Sequence, residues 1–275
     1  MLTEAAAEAC RRHGLILKEV QHNRPGASEF VVRVRDGCGA DLVLKQTAPG
    51  RKAREIAVLR AWSGTGVTPR FVAELEPGLY LAEWIDGRVL ADVPLDEPVP
   101  AAAIGRVLHQ LHASRVPDDL HSTRDEVQPD RPTHWVNLSE AMRALGGQIA
   151  RSLTDRHPPD DVTLHGDLVP ANIVLGVDGP RLIDPVGRSG LPAWDVAQLV
   201  ASAEGRGRRH LLGDVLTGYG DAPSLLPEML AWMVLFYLDK NLARADSPFT
   251  ANLRLLAETL VALQDPHAFM NRCLL

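Results

Sequence analysis

Asp167, Asn172 and Asp184 fall within one short stretch, LHGDLVPANIVLGVDGPRLIDP, residues 164–185. The asparagine follows the first aspartate by five residues, and the second aspartate follows the asparagine by twelve, behind the apolar pair Leu182-Ile183. Three oxygen-bearing side chains on one short hairpin suit the transfer of a phosphoryl group from a nucleoside triphosphate to a hydroxyl. The barrier to that reaction falls mainly through positioning and charge neutralisation. One carboxylate, Asp167, orients the attacking hydroxyl. The other, Asp184, holds with the Asn172 amide the magnesium ion that bridges the phosphates.

The spacing also fits the kinase pattern H-x-D-L-x-x-x-N followed by a metal-binding aspartate. His165-Gly166-Asp167-Leu168, Asn172 and Ile183-Asp184-Pro185 resemble the catalytic core of the aminoglycoside phosphotransferase family, small-molecule kinases distantly similar to protein kinases. Gly187, Gly190 and Trp194-Asp195-Val196-Ala197 bring the resemblance nearer to the streptomycin and hydroxyurea kinase branch. The resemblance implies an α+β, two-lobed, protein-kinase-like fold. Residues 1–85 would form a nucleotide-binding lobe, an antiparallel sheet with one main helix; residues 86–275 would form a mainly helical lobe with the catalytic loop and acceptor pocket. It further implies ATP or GTP and Mg2+ as cofactors, and a bracing role for Asp195 behind the catalytic loop. Gly166 replaces the arginine with which protein kinases can pair a phosphorylated activation loop. With no clear D-F-G to A-P-E segment either, a constitutively assembled site is expected.

The elements that must position this set come earlier in the chain. Residues 15–20, 29–35 and 40–46 read as strands, the last two joined by Asp36-Gly37-Cys38-Gly39. Alternation along Leu42-Val43-Leu44-Lys45 puts Val43 and Lys45 on one face, where the lysine can neutralise α- and β-phosphate oxygens. Glu55, the only carboxylate of the helical pattern over residues 50–60, follows Lys45 by ten residues and is its expected partner. The loop Asn23-Arg24-Pro25-Gly26-Ala27-Ser28 reads by itself as an ordinary hairpin loop; by the resemblance it would cover the phosphates with backbone N–H groups, with Ser28 among the nucleotide-binding residues. Two further strands, residues 70–75 and 79–85, lead to Glu83-Trp84-Ile85, similar to the family's inter-lobe hinge. There the Glu83 carbonyl and Ile85 N–H would meet the adenine edge.

A Pro-rich linker, residues 93–100, separates this part from a run of helices. Residues 101–113 place Ile104, Val107, Leu108 and Leu111 on one face. His109 and His112 lack the companions of a metal spacing and read as surface or packing histidines. Residues 115–133 read as a long loop, and residues 134–155 as helical with a break at Gly146-Gly147. Residues 194–203, 225–245 and 252–264 complete an all-helical C-terminal half, with Arg206, Arg208 and Arg209 as a solvated turn.

Three cysteines without a C-x-x-C pair, and an N-terminus without an apolar core, point to a cytoplasmic protein without structural zinc. Residues 1–80 carry a net charge of +3 and residues 81–275 one of −9. The acidic majority repels nucleic acid and suits a positively charged small substrate; the family resemblance further implies a cationic antibiotic, an aminoglycoside or a basic cyclic peptide of the viomycin kind, with Asp239 a candidate cation partner. The same balance also fits a surface that only aids solubility. A monomer with no membrane or nucleic-acid partner is expected. A metabolic kinase for a choline- or sugar-like alcohol shares the motif, and a non-catalytic pseudokinase is the other class; retention of Lys45, Glu55, Asp167, Asn172 and Asp184 weighs against the latter.

Overall fold

A computed structural model describes residues 2–20, 28–47, 52–114, 120–128, 135–156, 161–244 and 246–274. Residues 23–27 of the expected phosphate loop, and residues 115–119 and 129–133 of the expected long loop, lie outside the described residues. Helix α1 (Leu2–Arg12) precedes strands β1 (Ile16–Val20), β2 (Ser28–Arg35) and β3 (Asp41–Thr47), followed by helix α2 (Lys52–Trp62) and strands β4 (Phe71–Glu76) and β5 (Leu79–Glu83). The five strands form one antiparallel sheet in the order β1-β2-β3-β5-β4.

Alternation decides what each face of this sheet does. Leu42 and Leu44 of β3 join Phe30, Val32 and Val34 of β2 in a buried cluster closed by Ala6, Ala9 and Cys10 of α1. The opposite face presents Val43 and Lys45 to a cleft. The hairpin between β2 and β3 is fixed by Asp36, whose Oδ1 accepts the N–H groups of Cys38 (2.9 Å) and Ala40 (2.8 Å). α2 bridges two cores: Ile56 and Leu59 pack with Tyr80 and Ala82, while Val58 and Trp62 belong to the large C-terminal core.

Beyond β5 come β6 (Gly87–Val89), α3 (Ala101–His112), β7 (His121–Ser122), α4 (Glu140–Asp155), β8 (Val162–Leu164), β9 (Ile173–Gly176), β10 (Gly179–Leu182) and β11 (Arg188–Gly190). Helices α5 (Ala193–Gly205), α6 (Leu211–Tyr219), α7 (Leu226–Asn241), α8 (Pro248–Leu263) and α9 (Pro266–Leu274) complete the chain. Every residue of α5 is buried, so it forms the axis about which the other helices pack. α3 crosses α6 closely because Gly105 lacks a Cβ, which would lie 2.0 Å from the Val215 carbonyl oxygen. No helix among the described residues is long and apolar enough to cross a membrane.

Three expectations need correction. The C-terminal part is not all helical, since two small sheets, β10-β9-β6 and β7-β11-β8, form within and around residues 164–185. Gly146-Gly147 does not break α4: a Cβ on Gly146 would stand 3.2 Å from the Trp135 ring, and that packing offsets the roughly 1 kcal/mol helix penalty of a glycine. Arg208 is not solvated. It is buried, and its guanidinium donates to the carbonyls of Val93 (2.8 Å), Pro94 (2.8 Å) and Glu97 (3.1 Å), pinning the linker.

Glu204, near the end of α5, accepts the His210 backbone N–H, and burial raises its carboxyl from 4.5 to about 7. The folded state therefore keeps a proton that the unfolded chain loses near pH 4.5, so stability falls as pH rises from about 4.5 to 7. Glu204→Gln is expected to be near neutral at pH 4.5 and to stabilise by about 3 kcal/mol at pH 8, at 1.36 kcal/mol per pKa unit. Urea denaturation at both pH values checks this; an equal effect at the two would contradict it.

Candidate active site

β3 carries Lys45 into a cleft of about 580 Å3 that is also lined by Val31, Tyr80, Trp84, Asn172 and Asp184. The Lys45 ammonium is buried, 2.5 Å from Glu55 Oε1 and 2.9 Å from Asp184 Oδ1. Burial disfavours its charge, but the Asp184 and Glu55 carboxylates outweigh that and raise its pKa, so it stays an ammonium. Tyr80 lies opposite Lys45 in the β3–β5 register and donates its hydroxyl to Glu55 Oε1 at 2.7 Å. Burial, then the charges of Glu55 and Asp184, push that phenol well above its ordinary value, which keeps it a donor.

Asp184 is a non-glycine residue with φ of 57°, a left-handed conformation that bends the chain sharply after β10. The segment that follows runs against α2. At Gly187, with φ of 69°, a Cβ would lie 2.9 Å from Val58 Cγ1, so only glycine fits the approach. The helix that supplies Glu55 and the segment that supplies Asp184 are thereby packed together.

The turn between β8 and β9 holds Asp167. Asp195 of α5 is completely buried, its Oδ2 accepting the His165 N–H (2.7 Å) and its Oδ1 the Gly166 N–H (3.0 Å). Gln198, one helical turn on, accepts the Leu168 N–H at 2.8 Å. His165 Nε2 lies 2.8 Å from the Ile183 carbonyl, which can only accept, so Nε2 carries the proton; Nδ1 then accepts the Asp167 N–H at 3.4 Å. Behind Asp195 stands His112, with Nε2 at 3.1 Å from Asp195 Oδ2 and Nδ1 at 2.8 Å from the Tyr219 hydroxyl. The carboxylate fixes the tautomer, so Tyr219 donates to His112.

Asn172 closes the turn. Its Nδ2 donates to the Asp167 carbonyl at 2.7 Å and lies 3.4 Å from Asp167 Oδ2, which turns its Oδ1 away from both. Ile183 N–H donates to the Asn172 carbonyl at 2.9 Å, locking the residue before Asp184 to the same turn. One amide oxygen and one carboxylate bordering one cleft are hard donors, suited to magnesium sharing its remaining positions with phosphate and water. No cluster of three His, Cys, Asp or Glu able to hold a metal occurs among the described residues.

The structure thus brings Lys45, Glu55, Asn172 and Asp184 together, with Asp167 bonded to Asn172. Glu83 and Ile85 line the same cleft. Ser28 opens β2, paired in register with Thr47. Asp239 is placed differently from the expectation: it is buried, and its Oδ1 accepts the Asn137 N–H at 2.9 Å. Sequence reasoning missed Tyr80, Gln198 and Tyr219, and read His112 as a surface or packing histidine without its bond to Asp195. Of these only Tyr80 had a usable signal, through its pairing with Lys45 once the strand order is known.

A profile of the phosphotransferase enzyme family matches residues 19–232. A sequence comparison with curated proteins finds no match. Among solved structures, the chain is similar to a choline/ethanolamine kinase family protein from Mesorhizobium loti, with 17% identity, a TM-score of 0.70, and coverage of 98% of this chain and 95% of that one. It is also similar to an amicoumacin kinase bound to AMP-PNP and Ca2+, with 14% identity, a TM-score of 0.67 and coverage of 96% and 94%. A macrolide 2′-phosphotransferase from Brachybacterium faecium gives 21% identity, a TM-score of 0.63 and coverage of 91% and 95%. At these identities the likeness establishes a shared fold.

Asp195→Asn replaces one of two acceptor oxygens by a donor, so one buried N–H of the catalytic turn loses its partner. Such a substitution is expected to lower stability by about 2 kcal/mol in urea denaturation. A loss below about 0.5 kcal/mol would show that Asp195 does not hold the turn.

Proposed function

Because the chain belongs to the phosphotransferase enzyme family, we propose that it moves the γ-phosphoryl group of ATP, or of GTP, to a hydroxyl of a small-molecule antibiotic, with Mg2+ as cofactor. The observation that carries this reading is the convergence of Lys45, buried between Glu55 and Asp184, with a turn bearing Asp167 and Asn172. Lys45 holds the α- and β-phosphates, kept in place by Glu55. The Glu83 carbonyl and the Ile85 N–H meet the base, and Ser28 is among the residues that serve the nucleotide. Residues 1–85 act as the nucleotide lobe and residues 86–275 as the acceptor lobe.

Asp184 and Asn172 Oδ1 would hold the metal, which when bound would supply positive charge to neutralise the phosphates. Asp167 orients the acceptor hydroxyl and takes its proton late in the transfer. His165 donates to the Ile183 carbonyl and so shapes the loop, leaving Asp167 as the base. The amicoumacin kinase complex, with its nucleotide analogue and Ca2+, supports the use of nucleotide and divalent metal.

The charge of −9 over residues 81–275 supports a positively charged acceptor. An aminoglycoside or a viomycin-like peptide carries several charges and a choline-like alcohol only one.

The test is mass detection of an added phosphate in a magnesium–ATP screen over antibiotics and amino alcohols, run with wild type and Asp167→Asn. The variant is expected to keep its ATP affinity and lose about 10³-fold in transfer rate. Wild-type turnover by the variant on an authentic acceptor would remove Asp167 from the mechanism.

A further inference from the structure

A smaller cavity, walled by the end of α5, the turn into α6, and helices α8 and α9, has no lining residue in common with the nucleotide cleft. Its volume is about 200 Å3, below the roughly 300–1,000 Å3 of pockets that take drug-sized ligands. A nucleotide or an antibiotic is therefore too large for it.

Its charges are sorted by depth. Glu204 of α5 is buried at the floor, as are Phe269 and Cys273 of α9. Burial pushes the Cys273 thiol up to about 12, so it stays neutral. Arg209 and Arg272 are exposed at the rim, with His210 also exposed there. Neither guanidinium has a hydrogen bond or salt bridge among the described residues. Leu255 and Leu256 of α8 add apolar surface, and Leu255 is 56% exposed.

The Glu204 carboxylate is under-used by the protein. It accepts the His210 backbone N–H, which fills one of its roughly four lone-pair sites. The neutral polar groups of the α8 wall are engaged elsewhere: Asn252 Nδ2 donates to the Gly205 carbonyl at 3.1 Å and the Thr259 hydroxyl to the Leu255 carbonyl at 2.9 Å. A glutamine could accept the same N–H without the cost of burying an acid, so the fold alone does not account for a carboxyl here. Buried acids that cost stability and border a cavity are characteristic of sites that act on a ligand.

The arrangement selects by charge. A simple cation would meet two guanidiniums at the mouth, and an anion with acidic groups at both ends would meet the carboxylate at the floor. A dipolar molecule satisfies both, because a guanidinium holds a carboxylate in bidentate fashion while an ammonium group reaches the acid below. The floor and rim belong to one cavity of about 200 Å3, so the two charges lie within the span of one small molecule. We infer that this cavity binds an aliphatic α-amino acid as its zwitterion, with the carboxylate at Arg209 and Arg272, the ammonium at Glu204, and the side chain against Leu256 and Phe269.

This site is independent of the phosphotransfer reading, and its test needs neither ATP nor an acceptor. Calorimetric titration of the full-length protein compares three probes that share one branched chain: L-leucine, isocaproate, which lacks the ammonium, and isoamylamine, which lacks the carboxylate. Leucine is expected to bind about tenfold more tightly than either, as loss of one charged hydrogen-bonding group requires. Glu204→Gln and Arg272→Ala are each expected to weaken leucine by about tenfold while keeping a cooperative urea transition, Arg272 being exposed and Glu204→Gln keeping the acceptor for His210. Absence of leucine binding, binding no tighter than that of isocaproate or isoamylamine, or an unchanged leucine affinity in either folded variant would overturn the assignment.

Discussion

An ammonium buried between two carboxylates is the constraint on which the cleft depends. Lys45 lies almost wholly out of water, where an unpaired charge is untenable, so the fold must deliver anions to it. Glu55 comes from the helix ten residues later, and Asp184 from a segment 139 residues away. Meeting that demand fixes α2 against the sheet, and the segment after β10 against α2 through Gly187. The left-handed backbone at Asp184 is held in place by this convergence. Tyr80, bonded to the same Glu55 oxygen, keeps that carboxylate from turning away.

The catalytic turn is held from the other side by α5. Asp195 and Gln198 accept three N–H groups of the turn's backbone, those of His165, Gly166 and Leu168, leaving the Asp167 side chain to the site. α5 is rigid because it is buried throughout, and Asp195 is itself held by His112 from α3, which Tyr219 of α6 holds in turn. Reactive groups carried on a turn thus inherit the precision of packed helices.

Much of this was legible in the sequence where a local rule applied. Strand alternation gave the faces of β3, a ten-residue spacing paired Lys45 with Glu55, and the motif around Asp167 located the turn. What escaped has physical reasons. β6, β7, β8 and β11 have two or three residues each, too few to show a period. α6 carries glycines at 213 and 218 that lower its helix propensity, and its burial against α3 compensates. Arg208 looked solvated because the carbonyls it binds lie more than a hundred residues earlier. Asp239 looked available for a ligand, yet its carboxylate is engaged by a backbone N–H 102 residues away. Net charge reports only the balance of a whole stretch of chain and does not place any one charge beside the turn.

The central claim is that Asp184 serves the metal as well as Lys45. Calorimetric titration of ATP into wild type and Asp184→Asn, with and without Mg2+, tests it most directly. The account predicts that Mg2+ tightens ATP binding to wild type at least tenfold and that the variant loses this gain. A magnesium gain of the same size in Asp184→Asn would contradict it.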